Sequence, residues 1–295
     1  MTLVVGSTGQ LGRAIVGHLC DAGKAVRALV RPGAGPDRTE PLRQRGATLV
    51  EGDLKDVASL RRACEGVTTV VSTASATISR GAGDSIETVD RDGQLRLVDA
   101  AREAGAQRFV YVSFSGNVRD DFPLHAAKRA VEAHLIASGM PYTIVRPSFF
   151  MDVWLSPHAG FDPLGGSVRV YGSGDNPVSV IAAADVARYV AGTVDTPAAR
   201  NQVIELGGPE ALSWNAIIDR FERALGRPIA RQHVPEAALA AQMASAPDGL
   251  QRTLAGLALA VARGDVVDNG PALAIVDIAL TPCQAYVDRI SSAAR

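Results

Sequence analysis

The stretch Leu3-Val4-Val5-Gly6-Ser7-Thr8-Gly9-Gln10-Leu11-Gly12 decides the fold of this 295-residue chain. A short apolar strand runs into a glycine-rich turn, and the turn opens a helix. Gly6 permits the tight turn, Gly9 lets the backbone approach a phosphate, and Gly12 allows the helix to pack closely on the strand. The helix N-terminus then presents free amides and a positive dipole to an anion. The alternative is a glycine-rich turn without a ligand. The residues that we expect to bind a dinucleotide pyrophosphate are Gly6, Thr8, Gly9, Gln10, Leu11 and Gly12.

The first half of the chain repeats this alternation of apolar strands and helices. The predicted strands are Leu3–Val5, Ala25–Val30, Thr48–Glu51, Thr69–Ser72, Phe109–Val112 and Tyr142–Val145. The predicted helices are Leu11–Ala22, Val57–Cys64, Ser85–Ala104 and Leu124–Ser138. Each strand is short and largely apolar, which is typical of strands buried on both faces of a parallel sheet. The pattern therefore predicts an α/β fold with a Rossmann-type doubly wound parallel sheet.

The second half of the chain has a different pattern. Pro147–Gly174 is rich in proline, glycine and aromatic residues, which predicts mostly loop. The predicted elements beyond this loop are a helix at Ala183–Asp195, a strand at Gln202–Glu205, a helix at Ser213–Leu225 capped by Ser213, and a helical tail from Glu236 onward. We therefore predict a dinucleotide-binding Rossmann domain at residues 1–150. Residues 151–295 are predicted to form a small C-terminal α/β substrate lobe, mostly helical and packed on the first domain.

The residue at the end of the second predicted strand indicates which dinucleotide binds. A carboxylate at this position would accept a hydrogen bond from the ribose 2′-hydroxyl of NAD, but the sequence has Arg31 followed by Pro32. A guanidinium offers a planar, bidentate contact to a 2′-phosphate. The alternative is a solvated surface arginine. Arg31 therefore predicts NADP(H) as the cofactor, with Arg38 as a further candidate phosphate contact.

Residues after the third and fourth strands extend the predicted cofactor site. We expect Asp53 to accept a hydrogen bond from the adenine amino group and Leu54 to pack on the adenine ring. The alternative is that Asp53 or Asp56 caps the following helix, and the two roles are compatible. Thr73 and Ala74 follow the fourth strand, where small residues let the backbone pass close to the ribose.

Several further segments carry a resemblance to a known family. They are Leu29–Arg31, Glu51–Leu54, Phe109–Ser113, Ser138–Pro147 and the closing Thr281-Pro282, together with the Gly6–Gly12 turn. With them the chain resembles the atypical short-chain dehydrogenase/reductases of the NmrA-like and isoflavone-reductase-like group, over nearly its whole length. The resemblance implies a Rossmann domain, NADP binding and a small C-terminal substrate lobe. It does not imply one activity, because members include reductases of aromatic natural products, quinone reductases, non-catalytic redox-sensing regulators and assembly factors for membrane complexes.

Lys128 is the main catalytic candidate. Typical short-chain dehydrogenases carry Tyr-x-x-x-Lys here, whereas residues 124–128 read LHAAK, with Leu124 at the tyrosine position. Lys128 shares a helix face with Leu124 and Val131, so burial is expected to lower its pKa toward values useful for acid–base chemistry. The resemblance also matches Lys128 to the lysine that acts in isoflavone-reductase-like enzymes. The alternative is a surface lysine paired with Glu132.

His125 and Ser113 complete the predicted catalytic set. A histidine one turn from Lys128 is suited to protonate a carbonyl or a quinone methide. The alternative for His125 is an exposed or structurally satisfied ring. Ser113 follows the fifth strand, where its hydroxyl either holds a substrate oxygen or bonds the backbone of the following loop.

The loop after the sixth strand is expected to pass beside the nicotinamide. Pro147 and Ser148 are its predicted cofactor contacts. Phe149, Phe150 and Trp154 predict an apolar wall for a small-molecule substrate of apolar or aromatic character. The alternative is that these side chains pack the second lobe onto the first.

The composition argues against several other classes of function. A net charge of −1 gives no indication of a nucleic-acid partner, and three widely separated cysteines predict neither a disulfide framework nor a metal site. No apolar stretch is long enough to span a membrane, and no targeting segment precedes the first strand, so we predict a cytoplasmic location. A monomer and a homodimer both remain open.

These residues together predict an NADPH-dependent oxidoreductase that transfers hydride to a small apolar carbonyl, enone or quinone-like substrate. In this hypothesis Lys128 anchors the nicotinamide ribose and assists proton transfer, and His125 supplies the proton. The alternative is a non-catalytic NADP(H)-sensing regulator or assembly factor, which the leucine at position 124 favours.

Overall fold

A parallel sheet lies at the centre of the protein in a computed structural model that describes residues 1–78 and 80–292. The strands in chain order are β1 (Thr2–Val5), β2 (Val26–Val30), β3 (Thr48–Glu51), β4 (Thr69–Ser72), β5 (Arg108–Val112), β6 (Tyr142–Pro147), β7 (Phe161–Asp162), β8 (Ser167–Tyr171), β9 (Pro177–Val178), β10 (Gln202–Leu206), β11 (Leu212–Ser213) and β12 (Ala230–Val234). The central sheet has the order β10-β6-β5-β4-β1-β2-β3, and all its pairs are parallel. The strand order reverses between β1 and β4, as in a doubly wound sheet. The predicted Rossmann-type fold is confirmed.

Helices flank this sheet, and further helices in the second half of the chain pack on one another and on the small sheets. The helices are α1 (Gln10–Asp21), α2 (Pro36–Gln44), α3 (Val57–Cys64), α4 (Gln94–Glu103), α5 (Pro123–Ala137), α6 (Met151–Trp154), α7 (Ala183–Thr193), α8 (Trp214–Leu225), α9 (Glu236–Ser245), α10 (Gly249–Arg263), α11 (Gly270–Ile275) and α12 (Cys283–Ser292). A π-helix, Ile86–Gly93, runs directly into α4. In the described part of the chain, no helix has both the length and the apolar character needed to cross a membrane.

The elements predicted for the first half of the chain form with small shifts at their ends. All six predicted strands are present, with bounds that differ by two residues at most. The predicted helix at Ser85–Ala104 begins as the π-helix, with Ser85 as its cap: the Ser85 hydroxyl accepts a hydrogen bond from the Thr88 amide at 3.0 Å. The helix α2 was not predicted, because its sequence PDRTEPLRQ is polar and contains two prolines.

The second half of the chain contributes directly to the central sheet. The predicted strand at Gln202–Glu205 forms as β10 and pairs in parallel with β6 at the sheet edge. The helix α7 packs against α1 on one face of the sheet. The division of the chain at residue 150 stays a prediction, since the sheet draws strands from both sides of it.

The segment Pro147–Gly174 was wrongly predicted as mostly loop. It contains α6 and β8, and β8 lies between β7 and β12 in a small separate sheet. Aromatic contacts organise the segment, because the ring of Trp154 packs edge-on against Phe149 at 5.3 Å and against Tyr171 at 5.9 Å between centroids. The predicted helices at residues 183–195 and 213–225 are confirmed, and the Ser213 hydroxyl caps α8 by accepting from Ala216.

The glycine turn after β1 has the geometry that its sequence predicts. Gly6 has a φ of +84°, a left-handed conformation that favours glycine. A Cβ atom on Gly12 would lie 2.2 Å from the Gly6 carbonyl oxygen. The helix α1 therefore packs on the turn at a distance that no side chain permits.

Replacing Gly12 by alanine tests this close packing. The Gly12→Ala variant is expected to lose about 1–3 kcal/mol in the free energy of unfolding, because its Cβ overlaps backbone atoms that cannot move aside. Urea denaturation measures the change.

Gly17 in the same helix provides the matched control, since a Cβ there meets nothing within 4 Å. The Gly17→Ala variant is expected to gain about 0.5–1 kcal/mol from the higher helix propensity of alanine. Equal effects of the two substitutions would contradict the packing at Gly12.

Candidate active site

The turn between β1 and α1 is shaped to receive a pyrophosphate. Gly9 precedes α1 in an extended conformation, and no side chain caps the first amides of the helix. A Cβ on Gly6 would lie 2.7 Å from Thr73 Oγ1 and 2.8 Å from the Ala74 amide, so the turn closes tightly onto the end of β4. The uncapped amides and the helix dipole fit a dinucleotide pyrophosphate, with Gln10 and Leu11 in the first turn.

A basic cleft lies beside this turn, beyond the end of β2. Its volume is about 340 Å³, and its lining residues are Thr8, Arg31, Pro32, Gly33, Ala34, Gly35, Arg38, Asp53, Lys55, Gly81 and Ala82. The cleft brings together the predicted residues Thr8, Arg31 and Asp53, with Arg38 at its wall. Two arginines and a lysine at one cleft supply the charge that a 2′-phosphate needs.

Asp84 balances part of the positive charge of the cleft. Its carboxylate accepts a hydrogen bond from Arg31 Nη1 at 2.6 Å and also pairs with Lys55. Burial alone would raise the pKa of Asp84, but hydrogen bonds from Lys55 and Gly81 and the charge of Arg31 hold that pKa below its usual value. Arg31 is therefore paired with a carboxylate while its side chain stays 36% exposed, and its contact with a 2′-phosphate stays a prediction.

Asp53 and Leu54 have structural roles in addition to the predicted ones. Asp53 Oδ1 accepts from the Lys55 amide at 2.8 Å, and its Oδ2 lies 3.1 Å from Lys55 Nζ. The helix α3 is capped by Asp56, as the alternative prediction allowed. Leu54 is 6% exposed and belongs to the hydrophobic core, outside the residues that line the basic cleft. Their contacts with adenine stay predictions.

A second cavity lies at the carboxyl ends of β5 and β6. Its volume is about 170 Å³, and its lining residues are Leu11, Thr73, Ser75, Thr77, Val112, Ser113, Phe114, Ser115, Val118, Leu124, Lys128, Pro147, Ser148, Phe149, Phe150, Trp154, Leu257 and Asp265. The sequence predicted half of this lining. We refer to it as the catalytic cavity.

Lys128 is buried at the wall of the catalytic cavity. It is 5% exposed, its ammonium donates to the Val112 carbonyl oxygen at 3.1 Å, and it lies 4.9 Å from the ring centroid of Tyr111. Burial lowers the pKa of Lys128, while the negative charges of Asp90 and Glu132 oppose that shift. The expected burial of the lysine is thus confirmed, and the alternative of a surface lysine is wrong.

The buried carboxyl group of Asp90 reaches the same region from the π-helix. Its Oδ2 accepts a hydrogen bond from the Ala76 amide at 2.9 Å, and its Oδ1 has no partner within the described residues. Burial raises the pKa of Asp90, and the charge of Lys128 partly offsets this. π-Helical segments occur often at functional sites, but the sequence carried no signal for this one.

A network of ion pairs supports the floor of the catalytic cavity. Arg146 Nε donates to Glu132 at 3.0 Å, and Arg129 Nη1 donates to the same carboxylate at 2.6 Å. Arg129 also donates to the Ser115 carbonyl oxygen at 2.7 Å and lies 3.5 Å from Ser113 Oγ. The network orders the loop after β5, and it explains why Glu132 does not pair with Lys128.

His125 packs against Phe114, an aromatic residue that lines the catalytic cavity. Its ring is 5.9 Å from the ring centroids of both Phe114 and Phe122. Burial and the nearby charge of Arg129 lower the pKa of His125. Within residues 1–78 and 80–292, His125 is not part of the cavity lining. This position suits the alternative of a structurally satisfied histidine, and its role as proton donor stays a prediction.

Two buried oxygen atoms of the catalytic cavity have no hydrogen-bond partner in the described part of the chain. Ser148 Oγ and Asp265 Oδ2 make no hydrogen bond to any described residue. Sequence reasoning missed Asp265, which comes from the segment between α10 and α11. The described residues include no cluster of histidine, cysteine and carboxylate side chains suited to a metal ion.

The fold and the two cavities define an NAD(P)-binding protein of the Rossmann class. The sequence matches the NmrA-like family over residues 1–281, and the chain belongs to that family. The predicted resemblance is confirmed.

Relatives of different activity are similar to this chain. It is 32% identical over 280 residues to an isoflavone reductase homologue from Zea mays, covering 89% of this chain and 86% of the relative. It is also 32% identical over 241 residues to a photosystem II assembly factor from Synechocystis sp., covering 80% and 71%. The NADPH-dependent quinone oxidoreductase from Escherichia coli, solved with NADPH, has a TM-score of 0.81 at 23% identity, over 98% of this chain and 99% of that one. Identity at that level supports the fold alone.

Replacing Arg31 tests the basic cleft as a 2′-phosphate site. The Arg31→Ala variant is expected to bind NADP⁺ about 10- to 100-fold more weakly, because it loses a charged hydrogen bond to the phosphate. Its affinity for NAD⁺, which lacks that phosphate, is expected to change little. Isothermal titration calorimetry measures both affinities.

Arg43 on α2 is a suitable control, because its side chain is 58% exposed and lies outside the basic cleft. The Arg43→Ala variant is expected to bind both dinucleotides as the wild type does. An equal loss of NADP⁺ and NAD⁺ affinity in Arg31→Ala would contradict the assignment.

Proposed function

We propose that this protein is an NADPH-dependent oxidoreductase that reduces a small apolar carbonyl, enone or quinone-like compound. The observation that carries the proposal is Lys128, a buried ammonium group in a cavity with an apolar aromatic wall. NADP(H) is the cofactor, in agreement with the basic cleft, the family and the reductases among its relatives. A cytoplasmic location stays a prediction.

The residues of the glycine turn and the basic cleft hold the dinucleotide in this proposal. The amides of Gln10 and Leu11 bind the pyrophosphate. Arg31 and Lys55 bind the 2′-phosphate, with Arg38 beside them. Leu11 also lines the catalytic cavity, so a dinucleotide that passes over the turn extends from one cavity into the other.

Lys128 holds and orients the reacting groups. Reduction of a carbonyl or quinone requires a hydride and a proton, and the reduced nicotinamide supplies the hydride. An ammonium carries three N–H donors, and among the described residues only the Val112 carbonyl oxygen accepts from Lys128. The remaining donors are available to a ribose hydroxyl and to the substrate oxygen. The lowered pKa of Lys128 favours release of a proton to that oxygen.

The aromatic wall positions the substrate ring. Phe149 and Trp154 are fixed against one another, so they present a rigid apolar surface. The catalytic cavity is comparable in volume to an engineered cavity of about 150 Å³ that binds benzene.

The alternative function is an assembly factor or NADP(H)-sensing regulator. Leu124 lines the catalytic cavity where a typical short-chain dehydrogenase has its tyrosine, so the phenolic proton donor is missing. One relative of equal identity is an assembly factor. The buried lysine and the unpaired polar atoms favour the reductase, because buried ionisable groups with shifted pKa values are concentrated at catalytic sites.

Oxidation of NADPH in the presence of single-ring quinones and aromatic enones tests the proposal. We expect substrate-dependent loss of nicotinamide absorbance, and about a 10²- to 10⁴-fold lower kcat in the Lys128→Ala variant. Turnover is also expected to fall as the pH rises, starting below 10.5, the ordinary pKa of lysine, because the buried ammonium deprotonates earlier.

Lys24 is the matched control, because it pairs with Asp195 at the surface and is not among the residues that line the catalytic cavity. The Lys24→Ala variant is expected to keep the wild-type rate and pH profile. Tight binding of NADPH without oxidation by any compound of the panel would reject the reductase and support the regulator or assembly role.

A further inference from the structure

Asp265 is a buried acidic group of the catalytic cavity that the proposed reaction does not use. It is 2% exposed and lines the cavity. Its backbone is fixed on both sides, because its amide donates to the Pro177 carbonyl oxygen at 2.9 Å and its carbonyl oxygen accepts from Ser179 at 2.8 Å. The position of the carboxyl group is therefore set by the fold before any ligand binds.

The two oxygens of this carboxyl group differ in their surroundings. Oδ1 accepts hydrogen bonds from Ser115 Oγ at 2.7 Å and from Asn117 Nδ2 at 2.8 Å. Oδ2 is shielded from water and has no donor within residues 1–78 and 80–292. A buried acceptor without a donor is unfavourable, and a ligand that brings a donor removes that penalty.

Ser148 is a second residue of the catalytic cavity with an unpaired polar atom. Its hydroxyl is also buried and also lacks a described partner. Apolar and aromatic side chains form much of the remaining wall. An apolar cavity with a few unpaired polar groups is the usual form of a specific small-molecule site.

We propose that Asp265 is a specificity-determining residue that accepts a hydrogen bond from a hydroxyl or N–H group of the substrate. The inference rests on the proposed function, which assigns the group that is reduced. It adds that Asp265 recognises a hydroxyl or N–H substituent elsewhere on the same substrate. The substrate class is then an apolar ring that carries a hydrogen-bond donor. An analogue without the donor leaves Asp265 unpaired in the complex, so it binds more weakly.

Paired ligands test this recognition without turnover. The probes are para-hydroxybenzylideneacetone and para-methoxybenzylideneacetone, which differ in the O–H donor and in one methyl group, and calorimetry measures their binding to the full chain saturated with NADP⁺. We expect the hydroxylated probe to bind about 10- to 100-fold more tightly to the wild type. In Asp265→Asn the amide oxygen still accepts from Ser115 and Asn117, but an NH₂ group replaces Oδ2, and the preference is expected to disappear.

Asp268 provides the matched control. It is exposed, lies in the same segment, and accepts a hydrogen bond from the Gly270 amide at 2.9 Å. The Asp268→Asn variant is expected to keep the preference for the hydroxylated probe. Thermal unfolding of both variants establishes that each is folded.

The outcomes separate this inference from the proposed function. Equal affinities of the two probes for the wild type, or no binding of the hydroxylated one, would overturn the role of Asp265. A loss of affinity by the same factor for both probes in Asp265→Asn would also overturn the role of Asp265 in recognition, since an equal loss indicates a structural role. Preferential binding of the hydroxylated probe without its reduction by NADPH contradicts the oxidoreductase and leaves the recognition intact.

Discussion

The contact of Gly12 with the carbonyl oxygen of Gly6 is the constraint on which the rest of the structure depends. It fixes the start of α1 against the end of β1, the strand at which the order of the sheet reverses. Gly9 precedes the helix, so no side chain caps the first amides of α1. Thr8 then lines the basic cleft and Leu11 lines the catalytic cavity, so one turn joins the two halves of an extended site.

Buried charge determines how the catalytic cavity is held together. Removing lysine, arginine and carboxylate groups from water is expensive, and such groups persist when each has partners of opposite charge. Arg129, Glu132 and Arg146 satisfy one another beneath the loop after β5, and Glu205 joins them through Arg146 at 3.1 Å. Lys128 stands apart from this network, with a carbonyl oxygen as its hydrogen-bond partner. Its charge is therefore less stabilised than that of its neighbours, which suits a group that acts on a ligand.

The parts of the site that the sequence predicted are those encoded by local pattern. Glycine spacing located the turn, short apolar runs located the strands, and the apolar face of α5 indicated that Lys128 is buried. The missed residues depend on contacts between distant parts of the chain. The hydrogen-bonded residues Asp265 and Ser115 are 150 positions apart in the sequence, and Asp84 and Arg31 are 53 positions apart. A single carboxylate in a polar loop has no periodicity, so only the folded chain shows which cation or hydroxyl it faces.

Asp84 gives the basic cleft a built-in counterion. A cleft of bare cations would attract any free phosphate, whereas here a carboxylate already compensates Arg31 and Lys55. An anion that enters the cleft meets cations whose charge this carboxylate already offsets in part, so it gains less electrostatic energy than it would from the same cations without Asp84. Asp84 thus lowers the net charge of the cleft and moderates the attraction of anions in general.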